Sequence, residues 1–193
     1  MNETSLKTKS AASRLPWWSK SGQALVEFSM LLLTLVVLVF GLMDFCVAIY
    51  EKQLIVNLTR EGANLSARGT GDGVAEIMTN ALQAIMQEAT PLNLSTDSPS
   101  GLLILTAVTN NNNRASGFYI SHQLRSGLLS GASKVGPGVG AAATLPASIV
   151  AQSGHSVYVA EIYYKFNGPA PLQKLIHVNL TNKFYDVAYF PGT

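Results

Sequence analysis

Charge is what this chain has least of. Asp, Glu, Lys and Arg make up 12% of its 193 residues, about half the ~25% usual for a soluble domain. Mean hydropathy is positive, at +0.24. That argues against disorder, which goes with low hydrophobicity and high net charge. A net charge of +2 gives no support to nucleic-acid binding, and none is expected. The single cysteine, Cys46, excludes a disulfide framework within the chain and a multi-cysteine zinc site. His122, His155 and His177 lack paired ligand spacing, so no metal is expected. Ser133-Lys134-Val135-Gly136 lacks the residue order of a phosphate loop, and no Gly-x-Ser-x-Gly elbow occurs. Glu161 and Asp186 could meet across adjacent strands, but they read as solvated carboxylates. With no catalytic constellation, the expectation is a protein that is not an enzyme and carries no cofactor.

What is present is one long apolar run. Phe28 to Met43 holds no charged side chain over sixteen residues, about 24 Å of helix. With the apolar residues on either side it passes 20 residues, enough to cross a hydrocarbon core of about 30 Å. Glu27 and Asp44 lie near its two ends. Before it, Lys7, Lys9, Arg14 and Lys20 stand against Glu3 alone. The positive-inside rule therefore keeps residues 1–22 in the cytoplasm and exports the chain beyond Tyr50. The run is too long for a signal-peptide core, and Phe45-Cys46-Val47-Ala48 is a poor cleavage site. Cys46 reads as a small apolar packing residue.

The junction reads Ser21-Gly22-Gln23-Ala24-Leu25-Val26-Glu27-Phe28. A glycine, four uncharged residues, a glutamate and an apolar run resemble the class III signal of type IV prepilins and pseudopilins. A peptidase at the membrane face needs a small residue at the cut, and glycine lets the chain stay extended there. A carboxylate within an apolar helix costs about 2.5–3.5 kcal/mol if unpaired at depth, and is a functional candidate by default. The plainer reading leaves Glu27 at headgroup level.

Two further blocks come at family spacing: Gly41-Leu42-Met43-Asp44-Phe45 and Arg60-Glu61-Gly62-Ala63. Together the three resemble the TadE-like pseudopilins of tight-adherence pili, over about residues 21 to 69. The resemblance implies cleavage after Gly22 by a prepilin peptidase, with Gln23 as the new N-terminus. Glu27, followed by Phe28, would set assembly register by pairing with the new α-amino group. Asp44, Arg60, Glu61 and Gly62 are carried over as family motif residues. It also implies other pseudopilins, pilus-assembly proteins and inner-membrane lipid as partners. A minor subunit assisting assembly fits better than the major one, because the family's major subunits are much shorter. The alternative is an unprocessed single-pass anchor with an exported interaction domain, and a tethered enzyme ranks below both.

No breaker separates the span from Glu51–Arg68, so one long helix is expected, ended by Gly69-Thr70-Gly71. Met43, Val47, Tyr50, Leu54, Leu58 and Leu65 form a near-heptad stripe. That stripe packs on the protein's own sheet, or in part on neighbouring subunits with Glu61 paired across the interface. Asp72 is the expected N-cap of a second helix carrying Val74, Ile77, Met78, Ala81, Leu82, Ile85, Met86 and Ala89 inward, stopped at Pro91. Strands are expected at Leu102–Val108, Gly117–His122, Val157–Phe166 and Ile176–Tyr189. Helices before strands, with no βαβ alternation, predict an α+β fold: a long N-terminal transmembrane helix, then an exported domain with a second helix and an antiparallel sheet. The domains expected are 1–22 leader, 23–50 transmembrane helix, 51–69 its exported continuation and 70–193 the exported domain. The Gly/Ala/Ser-rich stretch 126–154 reads as a mobile surface loop, or as a subunit contact that orders only in an assembly.

Overall fold

The computed structural model describes residues 18–69, 73–92, 94–110, 117–149, 153–166 and 183–192. Asp72, Thr70-Gly71, the asparagine run after Asn110 and the Ile176–Leu180 part of the expected last strand lie outside them. The chain divides into two compact units, Met1–Leu42 and Met43–Thr193.

Helix α1 spans Trp18–Arg68 without a break. In its apolar stretch the side chains are exposed: Leu25 is 71% and Phe28 64% accessible. The few polar side chains there satisfy themselves within the helix. Ser29 donates to the Val26 carbonyl at 2.8 Å and Thr34 to the Met30 carbonyl at 2.9 Å. This is what a helix in lipid requires, where no water can accept those hydrogens. Among the described residues, one helix is long and apolar enough to span a membrane. It fits a single-pass anchor carrying a C-terminal domain.

The second unit is α+β. Helix α2 covers Val74–Glu88 and a 3-10 turn covers Thr90–Leu92. Strands β1 (Gly101–Asn110), β2 (Phe118–Ser126), β3 (Ser156–Lys165) and β4 (Lys183–Pro191) form one antiparallel sheet ordered β2-β1-β3-β4. β1 is central and buried on both faces, which is why it reads as an unbroken apolar run. β2 is longer than its sequence suggests, because polar residues such as Gln123 occupy half-buried positions.

One sheet face carries the helices. Leu103, Leu105, Ala107, Tyr158, Ala160 and Ile162 pack against Ile55, Leu58 and Ala63 of α1 and Met78, Ala81 and Ile85 of α2. The expected inner face of α2 is correct. The expected stripe on α1 is off-centre: Met43 and Tyr50 are exposed and Leu54 is half-buried. The buried row is Ile55, Leu58, Thr59, Gly62, Ala63 and Ser66. Small side chains bring α1 close to its neighbours. A Cβ on Gly62 would lie 2.5 Å from the Ile85 Cδ1 and 3.5 Å from the Ala160 Cβ.

The other sheet face is covered by residues 127–149. Val135 is fully buried, and Ala143, Leu145 and Ile149 pack with it over Val108, Ile120, Val157 and Val159. Main-chain bonds from Ile120 to the Ala141 carbonyl, from Gly140 to Ile120 and from Ala143 to Phe118 tie the segment to the edge of β2. Gly127 (φ 107°) starts it, where a Cβ would sit 2.2 Å from the Gly101 carbonyl oxygen. The described part of this stretch is thus neither a loose loop nor a contact awaiting an assembly. It is the second cover of the sheet.

Candidate functional site

The residues carrying the resemblance all lie on α1. Gly22 and Gln23 fall in its early turns, so the helix runs through the Gly22–Gln23 bond. Extended backbone is expected there, and helical backbone is found. Nothing lies within 4 Å of a Cβ built on Gly22, so unwinding this turn breaks no packing. Glu27 is exposed and accepts a hydrogen bond from the Gln23 Nε2 at 3.0 Å, one turn back. Its carboxylate therefore already reaches toward residue 23. Phe28 beside it is exposed.

In the second unit, Asp44 is half-buried and Arg60 exposed. Glu61 borders a groove with Leu54, Asn57, Leu58 and Glu88. Gly62 lies in the tight contact of α1 with Ile85 and Ala160. The Arg60-Glu61-Gly62-Ala63 block thus divides its duties: Gly62 and Ala63 face the core while Arg60 stays outside.

Three polar contacts missed in the sequence hold this unit together. The first docks α1 on β4. The Lys52 Nζ donates to the Tyr185 carbonyl at 3.1 Å and pairs with the Asp186 Oδ1 at 3.4 Å. The Thr59 hydroxyl lies 2.7 Å from the Asp186 Oδ2. The second joins Glu51 of α1 to the hydroxyl of Tyr164. Burial pushes the Glu51 carboxyl up from its ordinary value, against the pull of the Tyr164 bond. Burial and the Glu51 carboxylate together push Tyr164 up to about 12.

The third is on the opposite face. Glu161 is 0% exposed. It accepts from the Ser133 hydroxyl, from the Lys134 N–H at 2.9 Å and from the Tyr185 hydroxyl at 2.9 Å. The Lys134 Nζ sits 3.6 Å from the Tyr185 ring centroid. Glu161 and Asp186 do not meet, because their strand positions put them on opposite faces. Glu161 is not solvated either, contrary to its expected role.

Burial raises Tyr158, Tyr163, Tyr164, Tyr185 and Tyr189 above the ordinary phenol value, with Glu161 adding to the rise at Tyr163, Tyr185 and Tyr189. A raised phenol contributes stability that is fully present below the unfolded value near 10 and lost as pH climbs through the folded one. The folded protein should therefore show delayed tyrosinate absorbance on alkaline titration. The delayed fraction should appear together with loss of near-ultraviolet circular dichroism around pH 12, where Tyr164 ionises. Smooth titration of all tyrosines near pH 10 in a still-folded protein would contradict these environments.

No group of three or more acidic, histidine or cysteine side chains is placed to hold a metal among the described residues. The model of the TadE-like protein family matches residues 22–64. This match lies within the stretch, and names the family, that the three blocks resemble. No curated protein and no solved structure matches the chain.

Proposed function

We propose that this protein, whose N-terminal helix matches the TadE-like family, is a minor pseudopilin assisting assembly of a tight-adherence pilus. It is a bitopic inner-membrane precursor. Four basic residues against one acid keep residues 1–22 cytoplasmic, and residues 70–193 are exported. A prepilin peptidase cuts after Gly22, and other pseudopilins pack against the processed helix. Its role is packing, not catalysis.

The observation that carries this reading is the coincidence at Gly22. The family match begins there, with a glutamate at the fifth position after it and an uncharged run from Phe28 to Met43 whose apolar side chains face outward. The continuous helix through the Gly22–Gln23 bond favours the second reading, a permanent and unprocessed anchor. Sequencing the N-terminus of the membrane-extracted protein, made with and without a prepilin peptidase, separates the two. A peptidase-dependent species beginning at Gln23 is expected. An intact leader in both cells would leave the anchor as the better account.

A further inference from the structure

We propose that the groove between α1 and α2 docks a second copy of this chain, which inserts the opposite flank of its own α1. The proposal goes beyond the pseudopilin role, since it requires neither processing nor a pilus.

Two recesses follow one another along this pair of helices. One, of about 400 Å³, lies among Leu54, Leu58, Glu61 and Glu88. The other, of about 290 Å³, lies among Leu65, Gly69, Ile77, Ala81 and Ala84. One helical turn separates Glu61 from Leu65, and one separates Ala84 from Glu88, so the recesses form a single groove. From Leu54 to Gly69 it runs about 22 Å along α1, enough to seat about four turns of a third helix. Gly69, Ala81 and Ala84 are too small to fill it. Leu54 and Leu65 pack on the core from one side and stay half-open on the other.

Charge selects the occupant. Glu61 and Glu88 stand together at one end of the groove. Among the described residues the ion pair is Lys52–Asp186, and neither glutamate has one. Arg60 is exposed and equally unpaired there. Next to Glu61 in sequence, it is turned about 100° away around the helix, so the two cannot meet within one chain. Val56, one turn before Arg60 and half-buried, lies on the same flank. α1 thus has an acidic, apolar groove on one side and a ridge of Val56 and Arg60 on the other. Each chain holds both halves of a contact that it cannot close on itself. Seating Val56 and Arg60 of one copy in the groove of the next brings the guanidinium to Glu61 and Glu88. The two surfaces differ, so the contact is head-to-tail and repeats into a ring or an open row.

The test uses the full chain in phosphatidylcholine liposomes, with donor and acceptor dyes on the lone, exposed Cys46 of separate preparations. Packed helices lie about 8–10 Å apart, well within range of energy transfer. The wild type should show transfer above random encounter as lipid is added. Arg60→Glu reverses the ridge, and Glu61→Arg/Glu88→Arg reverses the groove. Each variant alone opposes like charges and should associate at least about tenfold more weakly. Mixing the two puts opposite charges at every contact, and transfer should recover. Where a reversal misfolds, Arg60→Gln and Glu88→Gln, both at exposed positions, replace it, and each should weaken transfer. Wild-type transfer no greater than random encounter overturns the proposal and leaves the groove to a different subunit. Transfer indifferent to these substitutions overturns it and places the contact elsewhere on the chain. Loss without recovery in the mixed reversals overturns the pairing of ridge with groove. No peptidase takes part, so failure here leaves the result of N-terminal sequencing standing.

Discussion

Replacing Glu161 with alanine should lower the melting temperature of the second unit by about 10 °C or more. Glu161 is fully buried and gathers three donors from two places, Ser133 and Lys134 in the cover segment and Tyr185 on β4. Removing the carboxylate strands those donors, each at about 1–3 kcal/mol where water cannot reach. It also leaves a void the size of a glutamate side chain, with its own cost. The sum is about 4 kcal/mol or more, against a total stability of about 5–15 kcal/mol. For a unit of this size each 1 kcal/mol moves the midpoint by about 2–4 °C. The damage should spread, because Glu161 pins residues 133–134 and with them the cover over Val108, Ile120, Val157 and Val159. Glu161→Gln keeps the volume and one acceptor and should cost about half as much. Thermal melts of the full chain in detergent, followed by near-ultraviolet circular dichroism, measure both. An alanine variant melting within about 2–3 °C of the wild type would show that the cover does not depend on this carboxylate.

That dependence explains what the sequence can and cannot reveal. α2 and β1 are legible because apolar side chains of similar size recur at the period of the element. The buried face of α1 is misplaced for the opposite reason. Beside Ile55 and Leu58 its contacts are made by Thr59, Gly62, Ala63 and Ser66, whose small size permits close approach but leaves no hydropathy signal, while Met43 and Tyr50 announce a face that stays outside. The cover segment carries no period at all. Its order comes from main-chain bonds to β2 and from Val135, Leu145 and Ile149, spaced too irregularly to register as an element. Glu161 looks like a surface acid because its partners Ser133 and Lys134 are 28 and 27 residues away in sequence. The blocks at 23–28, 41–45 and 60–63 are legible for yet another reason. They match a family pattern, and that pattern is confined to the helix, as is the family match at 22–64.

If the protein acts as a pseudopilin, Glu27→Ala should abolish its contribution to pilus assembly while leaving insertion and processing intact. The substitution removes a charge from the edge of an uncharged run, so α1 becomes a better membrane helix, and Gly22 and Gln23 are untouched. What is lost is a carboxylate that already reaches one turn back to Gln23, at 3.0 Å from its Nε2. Cleavage after Gly22 would place a new ammonium group on that same residue. An ion pair formed there, within the chain or with a neighbouring subunit, shields a carboxylate that otherwise costs about 2.5–3.5 kcal/mol in the apolar layer. Loss of even about 2 kcal/mol per incorporation reduces the assembled fraction about thirtyfold. Glu27→Gln preserves shape and polarity but not charge, so it should fail as alanine does. Glu27→Asp keeps the charge on a shorter arm and should retain partial assembly. Counting surface pili in cells expressing each variant at equal membrane levels, with the N-terminus sequenced in parallel, tests this directly. Wild-type piliation from Glu27→Gln with normal processing would remove the charge pair from the mechanism and return Glu27 to a headgroup-level residue.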